Sequence, residues 1–131
     1  GADWQGTGSI LVIDDELDVR IVTTRMLERF GFSVLTADDG RTGVEVFRTH
    51  ADSIVCVLLD MMMPQLDGQE TLRLIRQIKP DARVILMSGY NDQEAIRRFA
   101  GKGIAAFLPK PFTANDLRTK LQPLFNASGG Y

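Results

Sequence analysis

Four short stretches of this chain carry side chains suited to one kind of chemistry. Asp14 and Asp15 follow an apolar run at residues 10–13, and Asp60 follows another at 54–59. Ser88-Gly89 follows residues 84–87, and Lys110 sits between two prolines just after residues 105–108. Carboxylates brought together repel one another and lose hydration, which is costly. A hard divalent cation relieves that cost, and an all-oxygen donor set suits Mg2+ or the similar Mn2+. The ammonium of Lys110 adds a compact positive charge for a phosphate oxygen, and the Ser88 hydroxyl can donate to another. An aspartate among them is a possible nucleophile toward phosphorus. Phosphoryl transfer requires chiefly positioning and charge neutralisation, and this set offers both.

The elements that must hold these residues are readable from periodicity. Residues 10–13, Ser33–Ala37, 54–59, 84–87 and 105–108 read as five strands. Between and after them, apolar residues recur at helical spacing. Val19, Val22, Met26, Leu27 and Phe30 form the first set, stopped by Gly31. Val44 with Phe47, then Leu72, Ile75 and Ile78, then Ala95, Ile96, Phe99 and Ala100 form the next three. Leu117, Leu121 and Leu124 stripe a fifth helix, opened by a capping box from Thr113 to Asp116. Five alternating strand–helix units predict a doubly wound parallel sheet with helices on both faces. Ligands of such sheets bind beyond the carboxyl ends of the strands, where all the residues named above would lie.

Blander readings apply to single residues. An isolated aspartate after a strand is most often a turn residue or a helix cap, and Asp38-Asp39 reads as the turn and cap before the second helix. Cys56 lies mid-strand as a small buried apolar group. His50 closes the second helix, where a cation suits the helix dipole. The Met61-Met62-Met63 run could bind copper, but loop packing suits it better. Trp4 has no periodic context that places it. Composition removes other classes. With 15 basic and 17 acidic residues the net charge is -2, which does not suit a general nucleic-acid binder. One cysteine and one histidine fit neither a disulfide scaffold nor a structural zinc site. The absence of a long apolar run argues against membrane insertion and for a cytoplasmic location. The polar, glycine-bearing ends, 1–8 and 126–131, read as tails, leaving one domain over 9–125.

Taken in order, Ile10-Leu-Val-Ile-Asp-Asp-Glu16, Leu59-Asp-Met-Met-Met-Pro64 with Asp67-Gly68, Val84-Ile-Leu-Met-Ser-Gly89 and Phe107-Leu-Pro-Lys-Pro-Phe112 resemble the motifs of response-regulator receiver domains of two-component signalling, of the chemotaxis-regulator type. The resemblance implies a flavodoxin-like strand order of 2-1-3-4-5. It implies that Asp60 accepts a phosphoryl group from a phosphohistidine on a histidine kinase or histidine phosphotransfer domain. Asp15 and Asp60 would bind Mg2+ directly, Asp14 mostly through water, and the Met62 backbone carbonyl would complete the protein ligands. Ser88 and Lys110 would contact the phosphoryl oxygens, and Lys110-Pro111 matches a position often cis. Ser88 and Phe107 would form the switch, altering the helix 4, strand 5 and helix 5 surface for an output partner lying outside this chain. That same face, near Phe99 and Ile104, would carry any phosphorylation-dependent dimer. Met62 and Tyr90 would flank the path of a hydrolytic water, implying slow to moderate loss of the phosphoryl group. The wording of Ser88-Gly89-Tyr90 and of Leu108-Pro-Lys-Pro-Phe112 further resembles receivers joined to hybrid sensor kinases. Two alternatives stand beside this regulatory, non-enzymatic reading. One is an interaction module of the same fold that needs no phosphorylation. The other is an Asp-nucleophile phosphatase of the haloacid-dehalogenase type, disfavoured because Met62 occupies the place of its proton donor.

Overall fold

The computed structural model describes residues 4–61, 63, 67–89, 93–99 and 101–129. Ten elements alternate along them: β1 (Ser9–Ile13), α1 (Leu17–Arg29), β2 (Ser33–Ala37), α2 (Gly40–His50), β3 (Ile54–Asp60), α3 (Gly68–Ile78), β4 (Val84–Ser88), α4 (Gln93–Arg98), β5 (Ala106–Pro109) and α5 (Ala114–Gly129). The five strands form one sheet in the order β2-β1-β3-β4-β5, and every pairing is parallel. Parallel strands joined in sequence need a crossover, and α1 to α4 supply the four, while α5 follows the last strand and covers a face.

Because side chains alternate across a strand, each central strand feeds two cores. Leu11 and Ile13, Val57 and Leu59, and Val84 and Leu86 point to one side, where they meet Val44 and Phe47 of α2 and Leu72 and Ile75 of α3. Ile10 and Val12, Cys56 and Leu58, and Ile85 and Met87 point to the other, against Leu27 of α1 and Leu117 and Leu121 of α5. That two-sided burial explains the uninterrupted apolar runs of β1, β3 and β4. Each fully buried aliphatic side chain contributes roughly 1.5–3 kcal/mol. Gly43 lets α2 approach the sheet closely, since a Cβ there would collide with the Ile13 side chain.

The local signals are satisfied where they were expected. Asp39 caps α2, its Oδ1 accepting from Thr42 N at 2.7 Å. Thr113 and Asp116 cap α5 reciprocally, with bonds of 2.9 and 3.1 Å between side chains and backbone N–H groups. The expectation of tails needs correction at both ends. Residues 4–8 do not trail away. Gly6 N donates to Phe30 O at 2.6 Å, and Ser33 N donates to Gly8 O at 2.9 Å. Trp4 packs against Phe30, Phe32 and Phe125, with ring centroids 5.9, 5.9 and 6.4 Å away. At the other end, α5 continues through Gly129. Among the described residues no helix is long and apolar enough to cross a membrane.

Candidate functional site

The register of the sheet builds the site. Ile13 of β1 lies opposite Leu59 of β3, so the next residues, Asp14 and Asp60, emerge side by side at the carboxyl edge. Asp60 lies opposite Met87 and Ser88 opposite Pro109, which brings the end of β4 and the start of the following loop to the same edge. Lys110 N donates to Ser88 O at 2.7 Å, which fixes the lysine beyond the last strand. The Lys110-Pro111 peptide is cis.

Here Asp14, Asp15 and Asp60 each offer a carboxylate oxygen, all within 4.8 Å of one another. Asp14 is fully buried and Asp60 nearly so, whereas Asp15 is exposed. Lys110 Nζ lies 2.6 Å from Asp14 Oδ2 and 3.5 Å from Asp60 Oδ2. Burial draws the ammonium pKa down, but the bond to Asp14 and the charges of Asp60, Asp14 and Glu16 outweigh it, leaving the pKa raised. One ammonium thus faces three carboxylates, an excess of negative charge in a partly dehydrated place. Asp14 Oδ2 is also a buried oxygen without a well-directed hydrogen bond, its contact with Lys110 being ionic. An all-oxygen set with surplus negative charge fits Mg2+. The expected Met62 carbonyl lies outside the described residues, as does Tyr90.

The other expected site residues take the following places. Ser88 ends β4 and is buried. Phe107 is half-buried on β5 and packs against the core that holds Leu86, its neighbour in register. Phe99 is 3% exposed, so it belongs to the core and offers little to a dimer face. Met61 and Met63 are buried in the same core, which agrees with packing as their role. Burial pushes the Cys56 thiol up to about 12, the value of an unreactive sulfur.

The sequence reading missed one positioning residue, Arg20, and the tight packing of another, Gly68. Arg20 on α1 donates from Nη1 to the Asp14 carbonyl at 2.7 Å. Gly68 begins α3 so close to the turn after Asp60 that a Cβ would meet Met61 O at 2.9 Å and Asp60 O at 3.2 Å. Asp67 caps that helix by accepting from Glu70 N at 2.9 Å. The Asp67-Gly68 pair was visible as a motif, but its close approach was not. Beside the acidic cluster runs a groove of about 490 Å3, lined by Glu16, Val19, Val22, Lys110, Pro111 and Phe112 among others. Leu17, Ile21 and Val22 on α1 are large apolar side chains left 59%, 40% and 48% exposed.

This arrangement recurs in known proteins. The family described as the response regulator receiver domain matches residues 10–122. The chemotaxis protein CheY of Bacillus subtilis is 30% identical over 118 residues, covering 89% of this chain and 97% of CheY. The sensor kinase CckA of Brucella abortus is 31% identical over 122 residues, which are 93% of this chain but 13% of CckA. Other curated relatives are also longer, the chain spanning 45% and 24% of two transcriptional regulators and 49% of the response regulator MprA. Among solved structures, the CheX-CheY-BeF3-Mg2+ complex from Borrelia burgdorferi superposes with a TM-score of 0.84 at 28% identity, covering 90% of this chain and 89% of that one. With the strand order, the acidic edge and the family match in agreement, this chain belongs to the response-regulator receiver domains of two-component signalling.

Proposed function

We propose that the chain is a phosphorylation-activated switch whose phosphoacceptor is Asp60. The observation that carries this reading is the position of Asp60, nearly buried at the centre of the sheet edge, with Asp14 and Asp15 within 4.8 Å and Lys110 at 3.5 Å. In the reaction, an Asp60 carboxylate oxygen attacks phosphorus as the phosphorus–nitrogen bond of a phosphohistidine breaks. The bonding pair returns to the imidazole of the donor. Asp15 and Asp60 would hold Mg2+ directly and Asp14 through water, and the bound cation would supply charge neutralisation for the phosphoryl oxygens. Support for the metal comes from the oxygen donor set and from the related CheY complex that contains Mg2+. Lys110, already drawn toward two carboxylates, takes one phosphoryl oxygen as an ion-pair partner, and the Ser88 hydroxyl donates to another. Movement of Ser88 toward the phosphoryl group frees space that the half-buried Phe107 fills. Inward rotation of that ring reshapes the α4, β5 and α5 surface for an output partner.

The donor is a histidine kinase or histidine phosphotransfer domain. It approaches across α1, where the exposed Val22 lines the groove that ends at Lys110 and the exposed Leu17 and Ile21 line the adjoining groove toward β2. An apolar partner surface seated there brings its phosphohistidine over the acidic cluster. The likeness to a small part of CckA supports a parent that is itself a sensor kinase. Incubation with Mg2+ and a small phosphodonor, followed by intact mass, tests the core of the reading. A phosphate-sized adduct is expected in the wild type and absent in Asp60→Asn. An adduct retained in Asp60→Asn, or none in either protein, overturns it.

A further inference from the structure

The residues that hold the acidic turn are as informative as the carboxylates themselves. Three hydrogen bonds fix the chain as it leaves β1. Asp14 N donates to Ala37 O at 3.1 Å, extending the β1–β2 ladder by one bond. Glu16 N donates to Asp14 Oδ1 at 2.9 Å, and Arg20 Nη1 donates to Asp14 O at 2.7 Å. The first two act on the Asp14 amide and side chain. The third acts on a different unit, because the Asp14 carbonyl belongs to the peptide that joins Asp14 to Asp15. A fixed peptide plane places the next Cα and leaves only rotation about its N–Cα bond, which the held Glu16 N–H on the far side of Asp15 restricts, to aim the Cα–Cβ bond.

The two carboxylates depend on that plane unequally. Asp14 is fully buried and ion-paired to Lys110, so packing and charge already place it. Asp15 is exposed, and no hydrogen bond or ion pair joins its side chain to another described residue. Its location against Asp14 and Asp60 therefore follows from the backbone beneath it. We propose that Arg20 is a positioning residue, which locks the 14–15 peptide so that the Asp15 carboxylate is preset to bind a divalent cation with Asp60. This rests on the reading of the cluster as a Mg2+ site.

Charge alone argues for the opposite sign. A guanidinium near three carboxylates repels a divalent cation, so if Arg20 acted only by charge, its neutral replacement would bind Mg2+ more tightly. Removing a residue that orients a metal ligand typically weakens affinity by about tenfold or more. The direction of the change separates the two.

The test is calorimetric titration of Mg2+ into metal-free wild type, Arg20→Met, Arg20→Lys, Asp15→Asn and the double variant Arg20→Met with Asp15→Asn. Arg20→Met is expected to weaken Mg2+ binding about tenfold, and Arg20→Lys, which retains one donor, to recover part of that loss. Once Asp15 is gone, Arg20→Met should add little further loss, because the residue acts through Asp15. Melting of the metal-free proteins distinguishes a purely structural role, which would lower the melting temperature while leaving the affinity alone. An unchanged or tighter affinity in Arg20→Met, or full additivity in the double variant, overturns the proposal. Wild type that binds no Mg2+ instead overturns the metal-site reading itself, and this inference with it.

Discussion

The two ends of the sheet are built on opposite principles. At the carboxyl edge, three carboxylates lie within 4.8 Å of one another, and two of them, Asp14 and Asp60, share the Lys110 ammonium. At the amino edge, Trp4, Phe30, Phe32 and Phe125 form an aromatic cluster, with Phe32 and Phe125 centroids 5.4 Å apart and the Arg83 guanidinium 5.4 Å from the Phe125 ring centre. The first end holds unfavourable charge where chemistry needs it, and the second gains packing, ring–ring and cation–π attraction. Stability and function are thus separated along the strands, and concentrated negative charge at one end is tolerated because the other end and the two cores are sound.

Substitutions at each end test that division. The largest contrast is expected from Asp60→Asn, which should abolish the phosphate-sized adduct without lowering the melting temperature, since it removes one of several repelling charges. A large loss of stability in that variant would show that the acidic edge is also a structural keystone. At the aromatic end, Trp4→Ala should cost about 2 kcal/mol in denaturant unfolding, below the value for a fully buried tryptophan because the residue is only partly buried. Its rate of adduct formation should match the wild type. A slower rate would mean that the two ends are coupled through α5, whose first residues follow Lys110 and whose Phe125 meets Trp4.

Gly68→Ala blurs the contrast by design, because its Cβ would press on the backbone of Asp60 and Met61. We expect it to lose about 1–2 kcal/mol and to slow adduct formation, since a backbone contact cannot turn aside as a side chain can. Smallest is Asp39→Ala, a cap remote from both ends in function. Its loss should be about 1 kcal/mol at neutral pH. The bond from the Thr42 backbone N–H holds the Asp39 carboxyl below its usual 3.8. A depressed folded value stabilises above the unfolded pKa, so the difference between wild type and Asp39→Ala should shrink as pH falls below about 3.8.

Much of this was legible in the chain. Uninterrupted apolar runs mark strands buried on both faces, and the caps at Asp39 and Thr113 are local devices that announce themselves within four residues. Asp60 could be singled out because it follows such a run directly, and Lys110 because it stands between two prolines just after the last strand's apolar residues. Trp4 could not be placed, since one aromatic residue in a glycine-bearing segment has no period and its partners Phe30, Phe32 and Phe125 lie on three distant stretches. Arg20 reads as one of several charges on an amphipathic helix until its guanidinium is seen against the Asp14 carbonyl. Phe99, which carries an apolar signal whether it faces a core or a partner, proved to be core.

By itself the sequence determined the alternation of strands and helices, the five-unit parallel plan and the set of residues delivered to the carboxyl edge. Those follow from periodicity and from the rule that parallel crossovers place strand ends together, both short-range or topological constraints. Only the tertiary structure decided which carboxylate is buried and which exposed, that Lys110 pairs with Asp14 more closely than with Asp60, and that residues 4–8 close the opposite edge. These depend on register and on contacts between segments far apart in the chain, where a shift of one residue exchanges the inner face of a strand for the outer.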